Sequence, residues 1–453
     1  MKDMFYMFAG YEFSGLIFAS VLLVITVIGL VKSSGKVGKG IFGVFTLVAL
    51  VLGGGAIKHL MYIADLNEKL PAPGKFVTVD GRKIHVLAEG KQNGPAIVLF
   101  AGGHIGGVGF YNLHSEVKLH TRSILIDRLG TGWSDAGSYP RTTAKQAEEM
   151  IAALHQAGEE GPFIFVGHSF GGLLAANIAR RIPELTAGVI ALDPTPLDII
   201  VYGPSIENLN GMYDYYKMLG LKTMFGLYTA PNIPDSLSKE IPAVMALANT
   251  VKGAFSAASA FEELNNQLIV PRAWDTTIID KELGNMPVFV VAPPVEGDAA
   301  TTQFAEMVSS VQGVDPKRFL HFLTITRNSY LRTSNNAKRI MAPKGTGHNF
   351  VYEDPKFTAD TVLNIWGELN SNSHNLIQNW PGPYGGLPPF DQMTSESLKA
   401  SVVDAIVEKR AAIKAIIGNK GTPTFENTIL AVEDLQKPLD YLGSIISVYA
   451  STT

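Results

Sequence analysis

The sequence predicts an α/β fold: a mostly parallel sheet flanked by helices, with a helical cap. Three observations carry this expectation. Short apolar strands alternate with helical stretches between about residues 96 and 192. One of those strands ends in Val166-Gly167-His168-Ser169-Phe170-Gly171-Gly172, and an apolar helix-forming stretch follows it. The alternation stops after Asp193-Pro194-Thr195-Pro196 and resumes only near Pro287. Short, continuously apolar strands separated by helices are the pattern of a sheet buried on both faces.

Two uncharged stretches precede that pattern. Residues 13–31 form a run of about 19 residues, long enough to cross a bilayer as one helix. No small-residue cleavage site follows it, so a removed signal peptide is not expected. Residues 40–57 form a second run, weakened by Gly53-Gly54-Gly55, for which an interfacial or re-entrant helix is the other reading. The loop between them carries Lys32, Lys36 and Lys39. By the positive-inside rule that loop is cytoplasmic, which puts everything after Leu60 outside the cytoplasm. The expectation is a two-span membrane protein, with residues 1–60 as anchor and the domain that follows outside the cytoplasm.

Residues 65–75 read as a polar, proline-containing linker. Residues 76–87 form a hairpin around Asp80-Gly81, a favoured tight-turn pair. Strands are expected at Ala96–Phe100, Ser123–Ile126, 163–166, 188–192, 287–291 and Ala337–Met341, and a helix over 144–155. The interval 197–283 is helical and rich in Met, Tyr, Phe and Leu, and inserts between two sheet strands. An apolar insertion of this kind is suited to forming a water-poor surface.

A serine on a sharp strand-to-helix turn is held with its hydroxyl projecting from the sheet, and glycines two residues either side permit that close approach. Ser169, between Gly167 and Gly171, is therefore the candidate nucleophile. Three further stretches accompany it: Leu99-Phe100-Ala101-Gly102-Gly103-His104, then Ile126-Asp127-Arg128-Leu129-Gly130-Thr131-Gly132-Trp133-Ser134-Asp135, and downstream Gly345-Thr346-Gly347-His348-Asn349-Phe350. As a set, in this order and spacing, they resemble the α/β-hydrolase family over roughly residues 74–369. The resemblance implies a domain over 61–370 with a cap at about 197–283, and His348 as the base that takes the Ser169 proton.

The imidazole needs a carboxylate to hold its tautomer and balance its charge. Asp298 is the favoured candidate, in Val295-Glu296-Gly297-Asp298 after the strand at 287–291. Glu296, on the same turn, and Asp193, at the end of the preceding strand, are the alternatives. The oxyanion hole requires two backbone N–H groups, expected from Phe170 and from Gly103. His104 is expected either to contact substrate or to orient its loop, and Asp127 with Arg128 to form a structural ion-pairing corner.

The chain changes character after Trp366. A polar break at 370–375 is followed by Trp380-Pro381-Gly382-Pro383-Tyr384-Gly385-Gly386 and by Pro423-Thr424-Phe425-Glu426-Asn427, with amphipathic helices over 395–417 and 425–450. This segment, 371–453, resembles the N-terminal helical region of the M3 zinc oligopeptidases. The HExxH zinc helix of that family is absent, so peptidase activity does not carry over. The tail reads as a truncated piece of a second protein; a partner-binding helical appendage is the other reading.

With 0 cysteines, thiolate catalysis, disulfides and cysteine-based zinc sites are excluded. A net charge of -4 without a basic block gives no reason to expect nucleic acid. No cofactor and no metal are expected, because acyl transfer by a triad requires none. The expected partners are a small-molecule acyl substrate and the membrane. The expected function is a serine hydrolase cleaving carboxylic esters or related acyl bonds. An iminopeptidase or amidase with the same triad, and a non-catalytic binding module, are the rivals. Glu262-Glu263 is the one hint of amine recognition, and a solvated helix face explains it more simply.

Overall fold

The computed structural model describes residues 2–103, 105–195, 206–228, 243, 246–248, 250–266, 281–312, 315–378, 390, 393, 395–419, 421–435 and 437–452. His104 and much of the interval 197–283 lie outside the described residues.

Eight strands form one sheet in the order β1-β2-β4-β3-β5-β6-β7-β8. They are β1 (Lys75–Val79), β2 (Arg82–Glu89), β3 (Ala96–Phe100), β4 (Ser123–Ile126), β5 (Phe163–His168), β6 (Thr186–Leu192), β7 (Val288–Ala292) and β8 (Ala337–Met341). β1 and β2 pair antiparallel, as do β2 and β4, and the remaining pairs are parallel. The β1–β2 turn uses Asp80 at φ 49 and Gly81 at φ 75. Two consecutive positive φ values are the signature of a tight hairpin turn whose twist matches its strands.

The strands are apolar throughout because both faces are covered. On one face Val98, Phe100, Phe165, Val189 and Val290 pack with α5 (Thr143–Gln156) and α6 (Phe170–Arg181). On the other, Ile97, Leu99, Val166, Ile190 and Val291 pack with α4 (Tyr111–Val117) and with residues of the helix Pro355–Gln378. Alternate residues of one strand thus enter opposite cores, the period-two consequence of the pleat.

The chain leaves β3 for β4 on one side and leaves β5 for β6 on the other. The order in which the chain adds strands therefore reverses between β3 and β5. In open α/β sheets the crevice outside the carboxyl ends of the strands at such a reversal is where ligands bind.

Three helices precede the sheet: α1 (Lys2–Ala9), α2 (Ser14–Lys32) and α3 (Lys36–Lys69). The latter two are long and apolar enough to cross a membrane. α3 is much longer than its uncharged run; it continues through Lys58 to Lys69 as a stalk, where a linker beginning at residue 65 was expected. In the cap interval the structure describes α7 (Ile206–Met224) and α8 (Val251–Asn266), packed against each other. α9 (Ala299–Gln312) and α10 (Pro316–Leu331) follow β7.

After β8 come α11 (Phe350–Glu353), α12 (Pro355–Gln378) and α13 (Ser395–Gly418). α12 runs straight through the expected polar break at 370–375, since asparagine and serine only modestly disfavour a helix that is already propagating. The expected boundaries at residues 60 and 370 accordingly fall inside α3 and α12. α13 packs on α12. The expected second tail helix is divided into a π-helical turn (Phe425–Leu430), α14 (Ala431–Asp434) and α15 (Lys437–Thr452).

Candidate active site

β5 runs directly into the serine turn. Ser169 holds φ 52 and ψ -120, a sparsely populated conformation that costs a non-glycine residue about 1–3 kcal/mol. Main-chain hydrogen bonds hold it there. The Ser169 N–H donates to the Leu192 carbonyl at 3.0 Å, and its carbonyl accepts from Gly172 at 3.0 Å and Thr195 at 2.8 Å. The buried Tyr330 hydroxyl then donates to the Thr195 carbonyl at 2.6 Å.

The flanking glycines are a steric requirement. A Cβ on Gly171 would lie 2.0 Å from the Phe100 carbonyl oxygen, and one on Gly167 2.0 Å from the Gly171 carbonyl oxygen. Both obstacles are backbone, so neither can swing aside. Gly171→Ala is expected to lower stability by about 3 kcal/mol, and hence the melting temperature by about 6 °C or more. A thermal unfolding curve indistinguishable from that of the parent would contradict this packing.

His348 sits in the short 3-10 turn Gly347–Asn349 after β8. Its Nδ1 lies 2.8 Å from Asp193 Oδ2. The other carboxylate oxygen, Oδ1, accepts from the Arg327 Nε at 2.8 Å, and Arg327 Nη1 donates to the Pro293 carbonyl at 2.7 Å. Asp193 and Arg327 are both buried. Burial alone raises the Asp193 pKa, but the Arg327 charge and the bond to His348 outweigh it and hold the carboxyl below the usual range. The pair therefore supplies an ionised carboxylate to the imidazole Nδ1. This leaves Nε2 as the ring nitrogen free to exchange a proton with a reacting group.

The expectation that Asp298 partners His348 is not met. Asp298 accepts from the Thr301 N–H at 2.7 Å, at the start of α9, and its second oxygen accepts from the Gly345 N–H. It caps a helix and braces the histidine loop. Glu296 is exposed on the same turn. Sheet register accounts for the difference. His168 pairs with Leu192 across β5 and β6, so Ser169 and Asp193 leave neighbouring strand ends side by side.

Two rings fix the His348 plane. Phe304 stacks on it at 4.3 Å between centroids, and the His168 ring lies 4.7 Å away. His168 is buried, with Nε2 2.9 Å from the His348 carbonyl. Burial, together with His348, pushes the His168 imidazole down to about 3. It is therefore neutral and donates from Nε2 to that carbonyl. Between about pH 6.5 and 3 the unfolded chain binds a proton here that the folded chain refuses, so stability falls as pH falls through that window. His168→Gln keeps a donor and is expected to lose less stability than the parent between pH 7 and pH 5, as measured by denaturant unfolding. Equal losses would mean that His168 is protonated in the fold.

The loop after β3 lies against the elbow. A Cβ on Gly102 would come 3.0 Å from the Ser169 Cβ. Gly103 adopts φ 43. The buried Arg128 donates to the Ala101 carbonyl at 2.8 Å and to the Gly103 carbonyl, and its guanidinium stands 5.0 Å from the Phe170 ring centre. Arg128 thus fastens both segments that carry the expected oxyanion donors. The Phe170 N–H is among the first of α6, which have no acceptor within the helix. Asp127 and Arg128 do not form the expected pair. Asp127 binds His85 Nδ1 at 3.0 Å and the N–H groups of Gly107 and Trp133, and Arg128 binds carbonyls.

Sequence reasoning missed Arg327, Phe304 and the role of Arg128. A lone arginine 134 residues from its partner carries no local signal. A separate cavity of about 300 Å³ lies between α3 and the domain, lined by Leu66, Leu70, Trp133 and Lys252 among others; Ser169, His348 and Asp193 do not line it. Among the described residues no cluster of candidate metal ligands occurs.

A strained serine at a strand–helix turn, with a buried, histidine-bonded aspartate at the neighbouring strand end, defines the class of α/β proteins built around a nucleophile elbow. The chain belongs to the alpha/beta hydrolase family, whose family model matches residues 97–361. It is 29% identical over 167 residues to the uncharacterized protein YbdG of Bacillus subtilis, covering 36% of this chain and 50% of that protein. It is 24% identical over 260 residues to an AB hydrolase superfamily protein of Gibberella zeae, covering 54% of this chain and 77% of that one. The chain thus spans half the length of the first of these relatives and about three quarters of the second. Among solved structures it is similar to a thermophilic esterase from Thermogutta terrifontis, at a TM-score of 0.45 and 17% identity, covering 65% of this chain and 98% of that chain.

Proposed function

We propose that this protein is a membrane-anchored serine hydrolase that cleaves carboxylic esters through an acyl-enzyme on Ser169. The observation that carries the reading is the 2.8 Å hydrogen bond from His348 to the buried Asp193, beside the serine turn. A serine hydroxyl is a weak nucleophile until a base within reach takes its proton. His348 Nε2 takes the Ser169 proton as Oγ attacks the substrate carbonyl carbon. The carbonyl π electrons move to oxygen, and the N–H groups of Gly103 and Phe170 stabilise that oxyanion, assisted by the positive end of α6. Collapse of the intermediate breaks the bond to the leaving alcohol, which receives the proton from His348. Water then enters, gives a proton to His348 and releases the acid, and Ser169 recovers its proton. Asp193 holds the Nδ1–H tautomer and balances the imidazolium charge.

The anchor consists of α2 and α3, with the three-lysine loop cytoplasmic and the catalytic domain on the other side. Residues 371–453 are read as a helical appendage outside the catalytic unit. The test is covalent: a fluorophosphonate probe should label the full chain, and peptide mass analysis should place the adduct on Ser169. An adduct elsewhere, or no adduct on folded protein, would refute the assignment.

A further inference from the structure

We propose that the enzyme takes its acyl substrate from the bilayer, through a cap held against the membrane surface; this rests on the ester-hydrolase reading above and on α2 and α3 spanning the membrane. The substrate class is a long-chain acyl ester resident in the lipid phase. The argument begins where the uncharged runs meet the domain. On the catalytic side they start near residue 13 and end at residue 57, so Gly15 and Gly55 lie within about a turn of the hydrocarbon boundary.

The cap is seated at those two positions. A Cβ on Gly55 would lie 2.0 Å from the Phe225 carbonyl oxygen, and one on Gly15 2.5 Å from the Met224 carbonyl oxygen. The Phe18 and Phe225 rings are 5.9 Å apart. The end of α7 therefore touches the membrane helices backbone to backbone. These contacts also explain why glycine stands at position 55 inside an apolar span: any side chain would push the cap away.

Further contacts extend the attachment. Beyond the boundary α3 continues as a stalk whose Ile63 and Leu66 pack with Leu247 of the cap interval and with Val108 after β3. The Trp133 Nε1–H donates to the Leu70 carbonyl at 2.8 Å. The domain is thereby held in one orientation, with its cap toward the lipid.

Beside the exposed charges Asp3, Asp214 and Lys222, large apolar residues are exposed on α1 and α7. Leu227 is 73% exposed, and Tyr215 and Met218 on α7 are 52% and 51% exposed. On α1, Met4, Met7 and Phe8 are exposed while Tyr6 is buried against Phe255 and Tyr139. Lys217 lies over the Phe5 ring and links α1 to α7. Exposed apolar residues scattered singly need no explanation, but a set continuous with two spans is the surface of an element lying in the interface.

From that face an apolar path leads inward. Tyr216 stacks on Phe261 at 5.6 Å; Phe261, Ala260, Phe170 and Phe304 all pack on the buried cluster of Ala305, Phe319, Phe322 and Leu323; and Phe304 stacks on His348. An acyl chain following this path keeps its methylenes out of water from the bilayer to the nucleophile. A short water-soluble ester gains nothing from it.

The test uses the full chain in phosphatidylcholine nanodiscs, with p-nitrophenyl oleate in the bilayer and p-nitrophenyl acetate in water. The readout is the ratio of the two turnover rates, with fluorophosphonate labelling of Ser169 as the check that the site is folded. In Met218→Asp and Leu227→Asp the ratio should fall at least about tenfold, because a carboxylate at the interface repels the cap from lipid. An unchanged ratio overturns the proposal, as does a parent enzyme that turns over acetate but not bilayer oleate. A parent that neither labels nor hydrolyses either ester fails at the ester-hydrolase reading instead.

Discussion

Ser169→Ala is expected to lower kcat for p-nitrophenyl acetate by about 10⁶-fold and to abolish fluorophosphonate labelling. In the proposed mechanism the nucleophile and its base act as one unit. Removing either should therefore cost nearly as much as removing both. His348→Ala is expected to fall to a similar level, and the double variant Ser169→Ala/His348→Ala to lie within about tenfold of the singles. The residual rate above the uncatalysed reaction then reports the oxyanion donors and substrate binding alone. If the losses of the two single variants multiplied in the double, Ser169 and His348 would be acting independently and the proposed proton transfer would be wrong. Folding is not at issue for the serine variant. Ser169 is held through its backbone N–H and carbonyl, which alanine retains.

The second large effect separates the carboxylates. Asp193→Asn is expected to lower kcat by about 10⁴-fold, because an asparagine in that place fixes the wrong histidine tautomer. Asp298→Asn should leave kcat within a few-fold, since the Asp298 side chain binds the N–H groups of Thr301 and Gly345. Asp193 also neutralises a buried Arg327, so its removal leaves an unpaired buried charge and destabilises the fold. A double variant, Asp193→Asn/Arg327→Met, removes both partners. It should recover much of the lost stability and none of the lost turnover. Recovery of turnover together with stability would reduce Asp193 to a structural residue.

The same carboxylate sets a pH dependence of stability. Its folded pKa lies below the ordinary value. The stability it contributes is therefore complete above the unfolded carboxyl pKa of about 4, and is lost as pH falls below that value. Asp193→Asn should flatten the acid limb of a denaturation profile at those pH values, above which its cost in stability is constant.

Much of the frame was legible in the chain itself. Strand positions followed from apolar runs, and β3, β4 and β8 have the bounds that the pattern suggested. Ser169 was legible because its signal is local. A strand, a glycine-flanked serine and a helix are contiguous in sequence, and their strain is a property of those few residues. His348 was legible through its Gly-Thr-Gly-His-Asn-Phe setting. The two long apolar helices were legible because length and the absence of charge are one-dimensional properties.

The carboxylate that pairs with His348 was not legible, and the reason is geometric. Asp193, Glu296 and Asp298 all follow carboxyl ends of strands, so each had a claim to the crevice. Sequence spacing does not tell which of them faces a histidine 155 residues from Asp193. That depended on β6 lying beside β5 in a register that sets Asp193 next to Ser169, and on the Asp298 turn being occupied by a helix cap. The grip of Arg128 on the loop after β3, the support of His348 by His168 and Phe304, and the seating of the cap on Gly15 and Gly55 were hidden for the same reason. Local sequence determined which groups exist and what each would need. Only the tertiary packing, through contacts between residues far apart in the chain, decided which of those needs are met by which partner.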